Sequence, residues 1–353
     1  MAANDKAIGI DLGTTYSAVA RIDELGRPVT LVNAEGDLVT PSAVLFDGPN
    51  VIVGKEAIKA VATDAEQVAD CAKRDLGSRT FHKLLEGRQY PPEAIEGFVL
   101  KKLKEDAGRQ IGDFEKVVIT VPAYFDETKR KATQDSGYMA GLEVLDIINE
   151  PTAAAIAYGY QKGFLDTGQR DASPQKILVY DLGGGTFDVT VMEIQGADFN
   201  ALSTDGDVLL GGRDWDQKLV DFVAEEFMQE HGLDPREDPC AFGRLWRECE
   251  DAKRTLSARN KVSVACDYRG QAVRMEISRE KFEELTRDLL TRTEFTTQQA
   301  LQAAGLDWDG IDVVLLVGGS TRMPMVEQML KKLSGKAPDR SLSADEAVAH
   351  GAA

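Results

Sequence analysis

Histidine and cysteine are scarce in this sequence, with three and four residues in 353. His82, His231 and His350 lie far apart and share no ligand spacing, which argues against a histidine metal site. Cys71, Cys240, Cys249 and Cys266 form no CxxC pair and are too sparse for a disulfide scaffold, so reduced structural thiols are expected. Apolar runs such as Val313-Val314-Leu315-Leu316-Val317 have strand length, far below the roughly 20 residues of a membrane helix. The N-terminus Met1-Ala2-Ala3-Asn4-Asp5-Lys6 lacks a signal-peptide core, and a cytoplasmic protein without a membrane partner is expected. The net charge of −18 is well spread and no basic run occurs, which excludes nucleic acid as an expected partner. Two common phosphate-binding signatures, GxxxxGK followed by Ser or Thr and GxGxxG, are also missing. What is present is a globular composition, 43% hydrophobic and 28% charged, in a chain too long for one compact core, so two lobes are expected.

An internal repeat organises the chain. Ala7-Ile8-Gly9-Ile10-Asp11-Leu12-Gly13-Thr14-Thr15-Tyr16 lines up with Leu178-Val179-Tyr180-Asp181-Leu182-Gly183-Gly184-Gly185-Thr186-Phe187. Each copy reads as an apolar strand, an Asp-Leu-Gly turn carrying hydroxyls, and a second strand. That is a hairpin whose turn is built from residues tolerant of positive φ. Two copies about 170 residues apart predict two related lobes facing each other. Between them, Lys116 to Val121 reads as a strand and Asp126 to Gly141 as a helix with Asp126 or Thr128 near its N-cap. Val144 to Ile148 reads as a strand, and Ala153 to Tyr158 as a helix with Pro151 near its first turn. Lys162 to Gln175 suits an interlobe connection. Further on, Trp215 to His231, Pro239 to Ser257 and Arg279 to Gly305 have helical periodicity, and Lys261 to Ile277 alternates like paired strands. Val313 to Val317 is a strand ahead of Gly318-Gly319-Ser320-Thr321, with a helix from about Pro324. The class is mixed α/β.

Glycines let backbone N–H groups approach an anion and threonine hydroxyls add donors, so two facing turns of this kind can grip a phosphate chain from both sides. Carboxylates beside such turns repel phosphate unless a cation intervenes. Asp11, Asp181 and Asp188 therefore make sense as organisers of magnesium, largely through its retained water shell. A single Asp-x-Gly turn is more often an ordinary hairpin; the matched second copy tips the reading toward phosphate. Glu250, Lys253, Arg254 and Ser257 fall at i, i+3, i+4 and i+7, one helix face, which on spacing alone is a solvated stripe with a Glu250 to Arg254 pair.

Five motifs then resemble one family. Ile8 to Thr15, Val121-Pro122-Ala123-Tyr124-Phe125, Ile147-Ile148-Asn149-Glu150-Pro151-Thr152, Asp181 to Asp188 and Val317-Gly318-Gly319-Ser320-Thr321-Arg322-Met323-Pro324 look like the DnaK-type seventy-kilodalton heat-shock chaperones, in the family's order and across nearly the whole chain. The resemblance implies an α/β, actin-like ATPase fold: two lobes on duplicated ribonuclease-H-like cores with a nucleotide cleft between them. It implies a first lobe with core 1–40 and 92–167 and small subdomain 41–91. The second would have core 176–210 and 290–353 and small subdomain 211–289. By motif, Thr14, Thr15, Gly183, Gly184, Gly185 and Thr186 would hold the phosphates of ATP or ADP, and Tyr16, Gly211 and Gly212 would also contact the nucleotide. Glu250, Lys253, Arg254, Ser257, Gly318, Gly319, Ser320, Arg322 and Asp345 would serve adenine and ribose. Lys73, in Ala72-Lys73-Arg74, resembles the family lysine that reaches the terminal phosphate, where spacing alone allows a surface lysine. Glu150 matches a glutamate near the attacking water, as general base or lobe-coupling residue, and is also a helix-start carboxylate favoured by the dipole. With Asp181 and Thr186 these form the catalytic set for slow, magnesium-dependent hydrolysis; the resemblance leaves room for K+ as well. A small-molecule kinase of the same superfamily is the alternative, and it would need an acceptor pocket for which no motif is found.

The resemblance also implies a J-domain co-chaperone and a nucleotide-exchange factor as partners of the full-length protein, with peptide clients held by a β domain. This chain stops before that domain, so a monomeric fragment that binds nucleotide but not clients is expected. Two departures stand out. Asp146 replaces the family's basic residue at the J-domain surface, and Arg213 replaces a usually acidic residue after Leu210-Gly211-Gly212. The segment from Lys73 to Pro122 is short, which suggests a trimmed small subdomain in a divergent bacterial-type member.

Overall fold

The computed structural model describes residues 7–165 and 173–353. The first stretch contains strands β1 (Ile8–Asp11), β2 (Tyr16–Ile22), β3 (Pro28–Leu31), β4 (Thr40–Pro41), β5 (Ala43–Asp47), β6 (Asn50–Val53), β7 (Val68–Asp70), β8 (Lys116–Val121) and β9 (Glu143–Asn149). Its helices are α1 (Lys55–Ala60), α2 (Pro92–Ile111), α3 (Glu127–Met139) and α4 (Glu150–Gln161). The second stretch contains β10 (Gln175–Leu182), β11 (Phe187–Gln195), β12 (Asp198–Asp207), β13 (Lys261–Tyr268), β14 (Gln271–Ser278) and β15 (Val313–Val317). Its helices are α5 (Gly212–His231), α6 (Pro239–Ala258), α7 (Arg279–Leu285), α8 (Arg287–Ala303), α9 (Pro324–Ser334) and α10 (Ala347–Ala352).

The sequence repeat reappears as matched topology. β1, β2 and β3 form an antiparallel meander to which β8 and β9 add in parallel, giving the order β3-β2-β1-β8-β9. β10, β11 and β12 form a second meander to which β15 adds in parallel, giving β12-β11-β10-β15. Each glycine loop joins the first two strands of its meander, so the repeat places both loops at equivalent ends of two similar sheets. β1 and β10 are central strands covered on both faces, which is why they read as continuous apolar runs rather than alternating ones. Ile8, Ile10, Val117 and Ile119 bury against Val99, Leu100 and Leu103 of α2. Tyr180, Phe187 and Val189 bury against Trp215, Leu219, Val223 and Phe227, the apolar positions of α5.

Helix α4 sits between the halves. Its run Ala153-Ala154-Ala155 is fully buried against Ile177, Val179, Leu315 and Val317 of the second sheet, where small side chains let helix and sheet approach. The chain then returns: α10 leaves the second half and packs over β1, β2, β3 and α4 of the first. A Cβ on Gly351 would overlap the Ala153 carbonyl, and one on Gly9 would overlap the last turn of α10, so glycine is what allows this close seat.

The structure differs from expectation in four places. The loop glycines Gly13, Gly183, Gly184 and Gly185 do not adopt positive φ; close approach of the opposite loop, described below, is what requires Gly184 and Gly185, and the Tyr16 carbonyl of its own turn is what requires Gly13. The helix expected over 279–305 is broken at Thr286 (φ −110°, ψ 9°), whose buried hydroxyl bonds back to Phe282 O at 2.8 Å. The strand expected over 144–148 extends to Glu143–Asn149 and carries a bulge, since Val117 pairs Val144 and Val118 pairs Asp146, which leaves Leu145 over. Helix α5 begins at Gly212 rather than Trp215 because Asp214 accepts a hydrogen bond from the Gly211 N–H at 2.7 Å and so stabilises an earlier first turn. Asp126 is the N-cap of α3, accepting from Lys129 N at 2.9 Å. Of the connection expected at 162–175, residues 166–172 lie outside the described residues.

Candidate functional site

The two glycine loops meet face to face. A Cβ on Gly184 would overlap the Thr15 side chain, and one on Gly185 would overlap that of Thr14. The absence of side chains on the second loop thus admits the hydroxyls of the first. The second loop is fixed from behind by α5 and the 318–321 segment. Gly212 N donates to Gly183 O at 2.9 Å, Arg213 N to Gly184 O at 2.8 Å, and Ser320 Oγ to Gly183 O at 2.9 Å. Gly211 lies against the Gly185 backbone, and Gly318, at φ +82°, against the Leu182 carbonyl; neither position has room for a Cβ.

Around the loops is a concentration of charge withdrawn from water. Lys73 is 1% exposed, and its Nζ donates to Glu150 Oε1 at 2.6 Å and to Leu12 O at 2.5 Å. Burial opposes its charge, but Glu150 and Asp11 outweigh that and hold its pKa above the usual lysine value. Asp181 and Asp188 are buried and sit opposite each other in the β10–β11 ladder. Burial and the Glu150 charge push Asp188 up to about 7, although it accepts a hydrogen bond from Tyr124 N at 3.1 Å. Asp11, which accepts from Thr120 Oγ1 at 3.2 Å, is likewise pushed up to about 7 by desolvation and by Glu150. Asp181 is raised well above the carboxylate range by burial, Glu150 and Asp188. Carboxylates so raised are short of positive charge, and an oxygen-only donor set suits a hard divalent cation. Among the described residues no three His, Cys, Asp or Glu side chains converge to hold a metal directly.

On the other side of the cleft, the polar stripe of α6 is partnered rather than merely solvated. Arg254 donates to Glu250 Oε1 at 2.5 Å and to the Tyr16 hydroxyl at 2.8 Å, bridging the halves. Lys253 Nζ donates to Gly212 O at 2.8 Å and Asp216 Oδ2 at 2.7 Å, and Ser257 Oγ to Lys253 O at 3.3 Å. Arg322 pairs with Asp345 at 2.6 Å. One cavity of about 380 Å³ is lined by Thr14, Thr15, Tyr16, Gly183, Gly184, Thr186, Glu250, Lys253, Arg254, Ser257, Gly318, Gly319, Ser320, Arg322 and Asp345, together with Asp11, Lys73, Glu150 and Asp181. Gly185, Gly211, Gly212 and Asp188 do not line it; the three glycines pack within or behind the second loop and Asp188 lies beneath it.

Three residues at the site escaped sequence reasoning. Arg74 donates from Nε to Gly185 O at 2.9 Å and pairs with Asp214 at 2.6 Å, tying the Lys73 turn to the second loop. Thr120 holds Asp11. Glu96, on α2, is 1% exposed and has the Lys73 backbone N–H directed at its carboxylate. The adjacency of Arg74 to Lys73 was the one available signal; Thr120 and Glu96 had none. The four cysteines are free, as expected, and no helix among the described residues is long and apolar enough to cross a membrane.

Two facing glycine loops at the ends of duplicated sheets, with acids and a buried lysine around them, define a mixed α/β protein of actin-like architecture with a charged cleft. The family model "Hsp70 protein" matches residues 7–353. Proteins named chaperone protein DnaK from Thermotoga neapolitana, Thermotoga petrophila and Thermotoga maritima are each 44% identical over 98% of this chain. The chain belongs to the HSP70 family. It spans 58% of the length of those curated relatives.

Proposed function

We propose that this chain is the nucleotide-switch domain of a molecular chaperone, binding ATP with magnesium in the cleft and hydrolysing it slowly to ADP. The observation that carries this reading is the meeting of Thr14 and Thr15 with Gly184 and Gly185 directly beside the Lys73–Glu150 pair. The loops' backbone N–H groups and threonine hydroxyls bind the phosphates, and Thr186 adds a hydroxyl. Lys73 supplies a cation toward the terminal phosphate, oriented by Glu150, whose carboxylate would take the proton of the attacking water or couple the lobes. Asp11, Asp181 and Asp188 would hold magnesium through water, and the ion would neutralise charge on the phosphate oxygens. Glu250, Lys253, Arg254, Ser257, Arg322 and Asp345 would seat adenine and ribose. Catalysis of this kind is mainly positioning and electrostatics, so few groups suffice.

The test is thermal unfolding with Mg-ATP, Mg-ADP and GTP, on wild type and Asp181→Asn. A ligand at 100 times its dissociation constant stabilises by about 2.7 kcal/mol, so adenine nucleotides should raise the midpoint of wild type clearly and that of the variant little. No shift with either adenine nucleotide sinks the assignment.

The same reading extends to a J-domain co-chaperone and an exchange factor acting on the full-length protein, which holds clients in its further domain and works in the cytoplasm. Asp146 is exposed on β9, an edge strand, and its carboxylate would repel an acidic J-domain contact. Generic J-domains should therefore stimulate ATP turnover weakly, and Asp146→Arg should strengthen the response; strong generic stimulation of wild type would count against it.

A further inference from the structure

Two ion pairs of opposite polarity cross between the halves at one place. Asp70, the last residue of β7, pairs with Arg213 at 2.6 Å, and Arg74 pairs with Asp214 at 2.6 Å. Arg213 and Asp214 are consecutive in the first turn of α5. Asp70 and Arg74 bracket the turn that carries Lys73. That turn is under backbone strain, because Cys71 adopts the left-handed conformation at φ 56° and ψ 28°, unfavourable for a residue with a Cβ.

Arg213 is itself held in place. Its guanidinium lies 4.3 Å from the Trp246 ring centroid on α6, a stacked geometry that a lysine would not reproduce. Burial alone would push Asp70 up, yet the Arg213 and Lys83 charges hold it below the usual carboxylate range. The main chain of Arg213 has a second task, donating its N–H to Gly184 O of the second loop at 2.8 Å. One residue thus grips the second glycine loop by its backbone and the Lys73 turn by its side chain.

We propose that Arg213 is a positioning residue: paired with Asp70 and seconded by Asp214 and Arg74, it clamps the strained Lys73 turn onto the helix that carries the second phosphate loop. Lys73 is then set for the terminal phosphate only when the two halves are together. This inference rests on the ATP-hydrolysis reading above. The sequence marks the position only as a departure from the family pattern, since Asp70 and Arg213 are 143 residues apart.

Arg213→Gln, Asp70→Asn and the double variant test it. Three measurements are made on each: single-turnover hydrolysis of bound Mg-ATP, equilibrium Mg-ATP affinity, and the urea midpoint. Each single substitution should slow single turnover about tenfold while affinity moves less than about threefold, and the double variant should be no slower than the singles, because partners in one interaction are not additive. Arg213→Lys, which keeps charge without the stack, should fall between. Rates that stay at the wild-type level, effects that multiply in the double variant, or rate and affinity that fall together with the urea midpoint each overturn the clamp. If Arg213→Gln does not fold, Asp70→Asn and Arg213→Lys decide by the same criteria. A wild type that does not turn over Mg-ATP overturns the functional reading and the clamp with it. A wild type that does, with the variants unchanged, overturns the clamp alone.

Discussion

Lys73 shows how a single side chain can bind fold and chemistry together. Its ammonium is buried with Glu150 as its ion-pair partner, so neither can be removed without stranding the other. Breaking a buried pair from one side costs about 3–5 kcal/mol, since the remaining charge keeps its desolvation penalty and loses its compensation. Lys73→Ala should therefore lower the urea unfolding free energy by about 3 kcal/mol as well as abolish hydrolysis; an unchanged midpoint would show that the pair opens to water. Glu96 gives a separate signature in pH. Burial pushes its pKa from 4.5 up to about 7, against the opposing pull of Lys73, and its Oε2 has no hydrogen-bond partner. The folded chain thus holds this proton more tightly than the unfolded chain. Its stabilising contribution is complete below about pH 4.5 and is lost as pH rises through about 7. Glu96→Gln should flatten the fall in unfolding free energy between pH 5 and 8, by roughly 1 to 3 kcal/mol at the upper end if each pKa unit is worth about 1.4 kcal/mol.

At the level of elements, the glycines do different work from place to place. Gly185 admits Thr14, and Gly351 admits the backbone of Ala153. Gly185→Ala should weaken Mg-ATP binding by about tenfold, read by nucleotide titration, while far-UV circular dichroism is unchanged, because the collision lies between loops rather than within a core. Gly351→Ala should instead cost about 2 kcal/mol or more of global stability, since α10 must then lift from α4. Both glycine loops were legible as phosphate-binding turns from repetition and flanking strands, but the reason for their glycines was not. Sequence suggested tolerance of positive φ, whereas for Gly184 and Gly185 the determining contact comes from a loop about 170 positions away, and for Gly13 from the Tyr16 carbonyl of its own turn. The α6 stripe was legible by helical spacing, and its Glu250 to Arg254 pair is present. Its link to the Tyr16 hydroxyl was not, because no periodicity within one helix encodes what stands opposite. The same holds for Arg74 and Arg213, whose partners lie on the other half of the molecule. The break at Thr286 was missed because a buried threonine that bonds to its own preceding turn looks, in sequence, like any other polar position in a helix.

For the molecule as a whole, the return of α10 across β1, β2 and α4 sets the order in which the chain can mature on the ribosome. The first sheet is made early, yet one of its faces is covered by α10, Ala347–Ala352, the last helix of the described residues. Contacts between segments so far apart in sequence form late and slow folding. Ala18, Ala20 and the Gly9 backbone should thus stay uncovered until α10 has been made, leaving an apolar strip open to holding factors or to misassociation. A nascent chain stalled at Glu346 should be cut by protease within its first 160 residues, whereas one extended past Ala353 and clear of the exit tunnel should resist. Equal resistance of the two would show that the first half matures without its closing helix.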